Sequence, residues 1–403
     1  MRTFLSRWIQ VGILVVVVGC SRTEDAAPVD ELAADSVKSS VPAKLSSEGV
    51  DTTRLTITDS SVTVRSDSYP RPRGRVVNLL VTGVDARLGE RGGRADANHL
   101  IRFFLDSGCV EIISIPRGTK ADAGFPDTSN FNMLANVRTA KGQSGYFKAV
   151  AEIAGVPKVD YFVEFGFSQA LGLLELMGYR DNASSTLRVL RSRKAYATGD
   201  YQRSYNQGQF IRQAMLRTVD KTDDLLGQLA LRAALAIVET NLDYETTQGI
   251  LTSLRQRGFS ASAKDRIWVR VKPEDISQFQ VFDFDSSKVG ELDRQISRRV
   301  DHTIPDSARV TSESVEQRLG RMIGKAAADS ARSAASVIRL LQRPYQQRAW
   351  MQVANRTVRH AYRDRICGLL IASYQRVGRP DEAKRVEAFL ALDRSVNAGT
   401  KAD

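Results

Sequence analysis

The order of apolar patterns predicts an α/β fold, a mixed central β-sheet flanked by helices, joined to a small all-α C-terminal region. Three observations carry this reading. Strand-like runs at 76–81, 99–105 and 109–115 follow one another with little between them. Strand and helix patterns then alternate, as they do when helices cover the faces of a sheet. Beyond about residue 305 the alternating signal stops and only helical patterns remain.

Each element has a local reason. Val76-Val77-Asn78-Leu79-Leu80-Val81 is rich in β-branched and apolar residues and ends at Gly83. Asp106-Ser107-Gly108 is a short turn, so the runs at 99–105 and 109–115 form an antiparallel pair, and Pro116 closes the second. Helical patterns at 144–154 and 168–177 bracket a strand at 159–165; a helix at 222–239 and a strand at 266–271 follow. Helical stretches at 312–342, 345–376 and 380–392 make up the C-terminal region. Within it, residues 370–383 resemble half of a tetratricopeptide repeat, with Tyr374, Gly378 and Ala383 at its aromatic and small positions. A single repeat cannot bury its own apolar face, which favours a helical hairpin packed on the main domain.

The N-terminus reads as an export signal. Arg2 and Arg7 precede a short apolar core, and Val17-Val18-Gly19-Cys20 ends it with small residues before a cysteine. The run is shorter than the roughly 20 residues a permanent span needs. It resembles a bacterial lipoprotein signal in which Cys20 is acylated; an ordinary secretory signal is the alternative. The expected organisation is therefore a signal peptide at 1–20, a flexible tether at 21–74, an α/β domain at 75–304, a helical region at 305–395 and a tail at 396–403. The tether follows from its Ser, Asp, Ala and Pro content without periodicity, although Leu55-Thr56-Ile57-Thr58 alternates like an edge strand.

Charge narrows the partners. With 58 Lys and Arg against 46 Asp and Glu, the net charge is +12, which favours nucleic acid, anionic headgroups or phosphate-bearing substrates. Export, and the lack of a helix-turn-helix with a basic recognition helix, argue against nucleic acid. Cys109 and Cys367 fall in different predicted elements and read as buried small hydrophobes. With His99, His302 and His360 the only histidines, a His/Cys zinc site is excluded.

The chemistry gathers where the first three strands put their ends. The first delivers Gly83-Val84-Asp85-Ala86-Arg87, a Gly- and Arg-rich loop returns Arg94-Ala95-Asp96 to the second, and the third delivers Ile115-Pro116-Arg117. A meander of this order brings Asp85, Asp96 and several guanidiniums to one sheet edge. Two carboxylates suit Mg²⁺, a hard cation that keeps phosphate oxygens and water in its shell. Arginine forks match phosphate oxygens bidentately and stay charged. Solvated loop charges are the plainer reading of any one of these motifs alone.

Taken in order, the motifs resemble the LytR-CpsA-Psr family. They are residues 78–87, Arg94-Ala95-Asp96, Ser114-Ile115-Pro116-Arg117, Asn132, Gly155-Val156-Pro157 running into residues 158–165, Leu190-Arg191-Ser192-Arg193, Gly199-Asp200-Tyr201-Gln202-Arg203 with Gln207, and Thr240-Asn241-Leu242. The resemblance spans about residues 75–300. It implies a cell-envelope phosphotransferase that moves a glycopolymer from a polyprenyl-pyrophosphate carrier onto peptidoglycan or another envelope acceptor. Carried over by motif, Asp85, Asp96 and Arg117 would be catalytic, with Asp85 and Asp96 holding Mg²⁺. Arg87, Arg94, Arg191, Arg193, Asp200, Arg203 and Gln207 would bind the pyrophosphate or orient its ligands. The apolar helices near 147–154, 168–177 and 222–239 would line a lipid tunnel; ordinary core is their other reading. The lipid anchor would hold the chain on a membrane, and the helical region would offer a surface to protein partners.

The chain departs from the family pattern at Ala95, Ala97, Gly118, Asn206 and Gly208, where two hydroxyls, a carboxylate, an arginine and a glutamine are replaced. These losses motivate a second reading, a non-catalytic envelope lipoprotein that binds polyprenyl-phosphate-linked glycans. Transcriptional regulation, a third, conflicts with export.

Overall fold

The computed structural model describes residues 61–63, 69–86, 88–89, 93–193, 196–222, 224–275, 278–300 and 312–398. The expected signal peptide, Cys20, the strand at 55–58, most of the tether, Arg87 and His302 lie outside the described residues. The strands are β1 (Ser61–Thr63), β2 (Val76–Asp85), β3 (Arg94–Phe104), β4 (Cys109–Ile115), β5 (Tyr161–Phe165), β6 (Glu239–Thr240), β7 (Ile267–Val271) and β8 (Gln278–Gln280). The helices of the α/β part are α1 (Leu134–Ala154), α2 (Phe167–Leu176), α3 (Ala183–Arg191), α4 (Asp200–Thr218), α5 (Leu225–Ile237), α6 (Tyr244–Gln256) and α7 (Val289–Val300). The C-terminal region contributes α8 (Ser312–Asp329), α9 (Ala334–Gln346), α10 (Arg356–Arg376) and α11 (Pro380–Ala398).

Six strands form one mixed sheet in the order β6-β5-β2-β3-β4-β7. β2, β3 and β4 are antiparallel neighbours, whereas β5 runs parallel to β2 and β7 parallel to β4. Parallel neighbours need a crossover, and α1 precedes β5 for that reason. β1 and β8 pair separately. Two motifs act as clamps on this sheet. The backbone N–H of Asn78 donates to Asp160 Oδ2 at 2.9 Å, and the Asn78 amide donates to the Lys158 carbonyl at 3.0 Å, seating β5 beside β2. On the outer side the Phe162 N–H donates to Asn241 Oδ1 at 2.8 Å, fastening β6 to β5.

Period-two burial splits the core into two layers. Leu80, Leu100 and Ile113 face α1, where Tyr146 and Val150 pack on them. Leu79, Val81, Ile101, Phe103 and Ile112 face the other helices in a larger core that runs on to Phe210, Leu231, Trp350 and Leu370. The C-terminal helices therefore share one apolar core with the α/β part. Polar ties reinforce the joint: Arg359 Nη1 pairs with Glu175 Oε1 at 2.6 Å, Gln352 donates to Ser168 Oγ at 2.6 Å, and Arg348 Nη2 donates to the Ala236 carbonyl at 2.7 Å.

Differences from the sequence reading have physical causes. β3 begins at Arg94, ahead of the expected start at 99, because Ala95 to Asn98 pair with β2 although they include polar side chains. The helical stretch 312–342 divides where Ser333 caps α9 by accepting from the Ser336 N–H, and Asn355 caps α10 by accepting from the Val358 N–H. α4 carries almost no apolar period, since Gln202, Arg203, Ser204, Asn206 and Gln207 are all buried. An enclosed polar helix of this kind escapes a hydropathy pattern. Cys367 is buried, but Cys109 is only partly so.

Candidate functional site

The carboxyl ends of β2, β4 and β5 and the amino end of β3 meet at one edge of the sheet, the place where open α/β sheets hold ligands. Asp85 lies directly opposite Arg94 in the β2–β3 register, with Arg94 Nη2 3.6 Å from Asp85 Oδ2. The return loop is tight: Gly93 has φ +144°, and a Cβ there would come within 2.4 Å of the Asp85 carbonyl. Only glycine fits that turn.

Asp96 owes its position to a β-bulge. The register shifts between Gly83 and Val84, so Ala97 pairs with Gly83 and Ala95 with Val84, leaving Asp96 as the extra residue. The parity of side chains reverses across it: Ala95 joins the α1 layer and Ala97 the opposite one. Bulges re-aim single side chains in this way. Asp96 is 1% exposed. Its Oδ2 accepts from Arg117 Nη1 at 3.0 Å, and its carbonyl accepts from Arg203 Nη2 at 3.1 Å.

The amino end of α4 completes the cluster. Asp200 Oδ2 accepts from the Arg117 backbone N–H at 3.0 Å, and Asp200 Oδ1 lies 2.5 Å from Arg203 Nη2. Arg191, at the end of α3, stacks its guanidinium over the Phe167 ring at 5.0 Å. Its positive charge also reaches Asp85. Burial, then the negative charge of Asp96, push the Asp85 carboxyl above its ordinary range, while Arg94 and Arg191 oppose them. Burial lowers the Arg203 guanidinium from its ordinary value, with Asp200 opposing.

Asp85, Arg94, Asp96, Arg117, Arg191, Asp200 and Arg203 are thus drawn into one network, and exposed Arg193 is near enough for its charge to bear on Arg203. Two of the expected ligand residues are deeply buried. Arg203, 1% exposed like Asp96, holds Asp96 and Asp200 from inside. Gln207, 0% exposed, spans His99 Nε2 at 3.2 Å and the Leu190 carbonyl at 2.8 Å. His99 in turn meets Ser114 Oγ at 2.9 Å, and burial lowers its imidazole to about 3. Gln207 therefore ties α4 to β3 and to the end of α3.

A cavity of about 390 Å³ includes in its wall Val84 and Ala86, the sequence neighbours of Asp85. The start of α2, the end of α5 and the residue after it contribute Phe167, Ile237 and Val238. Residues 147–154 lie in α1 on the opposite face of the sheet, packed against Leu80 and Leu100 as the ordinary core that was their other reading. The wall is also less greasy than a lipid tunnel requires. Glu164 sits in it at 5% exposure, paired to Arg138 through a short contact and a second one of 2.9 Å. Burial raises the Glu164 carboxyl, and Arg138 opposes this. Arg343, Tyr345, Gln347 and Arg348 of the C-terminal region close the other side. No motif pointed to Arg138 or Arg343. The one usable signal was Glu164, a carboxylate inside an otherwise apolar strand, which demands a cation.

Among the described residues no group of three or more His, Cys, Asp or Glu side chains could hold a metal ion. The pair Asp85 and Asp96 remains, two oxygen donors whose mutual repulsion a cation would relieve. This donor set fits an ion that takes its other ligands from phosphate and water. No described helix is long and apolar enough to cross a membrane.

Comparison with known proteins finds similarity over part of the chain. Residues 41–174 match the LytR_cpsA_psr family, a segment that contains Asp85, Asp96 and Arg117. No protein with a curated description matches. Among solved structures, Bacillus subtilis TagV is 16% identical over 58% of this chain and 100% of its own, with a TM-score of 0.39. B. subtilis TagT is 17% identical over 60% of this chain and 97% of its own, TM-score 0.35. TagT bound to LIIa-WTA is 16% identical over 62% and 100%, TM-score 0.36.

Proposed function

We propose that this chain is a cell-envelope phosphotransferase that moves a glycopolymer from a polyprenyl-pyrophosphate carrier onto peptidoglycan or another envelope acceptor. One observation carries the reading: two carboxylates, one buried and one half-buried, form a charged network with Arg94, Arg117 and Arg191 at one edge of the sheet, and both carboxylates, Arg94 and Arg117 lie within the segment that matches the LytR_cpsA_psr family. The ligand named for the TagT complex, LIIa-WTA, is consistent with a lipid-linked polymer as donor.

The acceptor hydroxyl oxygen bonds to the glycan-side phosphorus as the bond from that phosphorus to the bridging oxygen breaks. Polyprenyl phosphate leaves with the electron pair, and the hydroxyl proton passes to the Asp85 carboxylate. Asp85 suits this because its carboxyl is held above the ordinary range, nearer the working pH. Arg94, Arg117 and Arg191 oppose the charge that builds on the phosphate oxygens. Asp200 and Arg203 fix Arg117 and Asp96 in place through the contacts given above. The alternative role of the same pair is metal binding: Asp85 and Asp96 would hold Mg²⁺, which would neutralise the diphosphate in place of the proton-accepting role of Asp85. The anchor at Cys20 and residence at a membrane belong to this proposal, as does a role for the C-terminal helices with protein partners.

The test is turnover of a polyprenyl-pyrophosphate glycan with Mg²⁺ by the full chain. Asp85→Ala and Arg117→Ala are each expected to abolish it, and full activity in both would remove the assignment. The chain lacks a carboxylate at Gly118 and hydroxyls at Ala95 and Ala97, which favours a second reading as a binding lipoprotein. Tight donor binding without turnover is the result that would select it.

A further inference from the structure

The cavity between the start of α2, the end of α5 and α9 has the wrong chemistry for a polyprenyl chain. A hydrocarbon displaces water from polar wall groups without replacing its hydrogen bonds, which costs free energy even where those groups also bond one another. Yet the wall carries Glu164 with Arg138, Glu239 at one rim, and Arg343 from α9. Arg343 faces Glu164 closely enough for its charge to act on that carboxyl. Two half-buried rings also line it, Phe167, with the Arg191 guanidinium at 5.0 Å, and Tyr345, with that of Arg348 at 4.2 Å. Carboxylates and guanidiniums that bond hydroxyls, set beside aromatic surface, make the combination that a sugar ring requires: hydrogen bonds at its edge and apolar contact at its face.

We propose that this cavity binds a saccharide, a sugar unit of the polymer being transferred or of its acceptor, and that Arg343 of the C-terminal region is its specificity-determining contact. The volume of about 390 Å³ lies within the roughly 300–1,000 Å³ range of small-molecule sites. The C-terminal helices share the core of the α/β part, and the Gly89 N–H donates to Gln347 Oε1 at 2.8 Å, so the wall they supply is fixed in place. The choice of a glycan rests on the transferase reading, whereas sugar binding itself needs no turnover.

The experiment measures binding to the full chain by calorimetry and saturation-transfer NMR with three probes. They are the N-acetylglucosaminyl-N-acetylmuramic acid disaccharide for the acceptor, glucose 1-phosphate for the donor's reducing end, and geranyl monophosphate for the carrier. At least one sugar probe is expected to bind, and to weaken tenfold or more in Arg343→Ala and in Glu239→Ala, with thermal melts unchanged. Glu239 is exposed, so its variant reports on the cavity without disturbing the fold. Asp85→Ala, which stops turnover, is expected to keep sugar affinity within twofold, separating failure of this inference from failure of the transferase assignment. The disaccharide binding alone would assign the cavity to the acceptor, and the sugar phosphate alone to the donor. No sugar binding, sugar binding indifferent to both variants, or displacement of the sugar by geranyl monophosphate from the same residues would overturn the proposal.

Discussion

Substituting Arg117 by methionine keeps most of the side-chain volume but removes the charge that faces Asp96. The Asp96 side chain is 0% exposed and Arg117 16%, with 3.0 Å between Nη1 and Oδ2. Removing one partner of a buried pair leaves an uncompensated charge and costs about 3–5 kcal/mol. The residual access of Arg117 to water, together with Arg203 beside the same residue, places this variant near the lower end, at about 3 kcal/mol. Asp96→Asn removes the charge from the other side, so the double variant Asp96→Asn/Arg117→Met should be less damaged than the sum of the singles. A coupling of about 2 kcal/mol is expected, within the range seen for contacting residues. Urea unfolding of the full chain, followed by Trp fluorescence and circular dichroism, measures all four corners of the cycle. Additivity within about 0.5 kcal/mol would refute the pair as an interlocked unit. In the transferase assay Arg117→Met alone should lower the rate by about 10²–10³, the usual loss when one charge-stabilising donor is removed.

Three further predictions follow from the same geometry. Arg94 opposes the elevation of the Asp85 carboxyl, so Arg94→Met should raise it further and move the acid limb of the kcat/KM profile to higher pH; a limb that stays or moves down contradicts the electrostatics. Gly208→Gln, which restores the family residue, should destabilise the chain by at least about 1–3 kcal/mol, since even a Cβ would lie 2.5 Å from Ser114 Oγ and 2.6 Å from Val269 Cγ1; a Tm at or above wild type would show that α4 can shift. Burial holds His99 neutral down to about pH 3 in the folded chain, while the unfolded imidazole takes its proton near pH 6.5. The unfolded state binds more protons between those values, so stability falls as pH drops through that window, by about 1.4 kcal/mol per unit from this residue at full effect. His99→Asn should flatten that slope in urea titrations at graded pH.

What the amino-acid order determined by itself was the local and the consecutive. Residues 76–81 and 109–115 announce their strands because β-branched and apolar residues suit a pleated, buried surface, and a three-residue turn leaves strands β3 and β4 no choice but to pair. That meander already implied Asp85, Asp96 and Arg117 at one edge. The tertiary structure alone decided how deeply each motif residue lies. Arg203 and Gln207 sit in a motif like their neighbours, yet the packing of α4 on the sheet turns both inward, and no sequence spacing encodes the depth at which a helix is buried. The bulge that re-aims Asp96 is likewise set by pairing across two strands. Nor could Arg343, far along the chain from Glu164, be connected with it before the C-terminal helices joined the common core. Contacts of that kind arise when distant apolar faces are buried together, and the polar residues beside those faces follow them into the cavity.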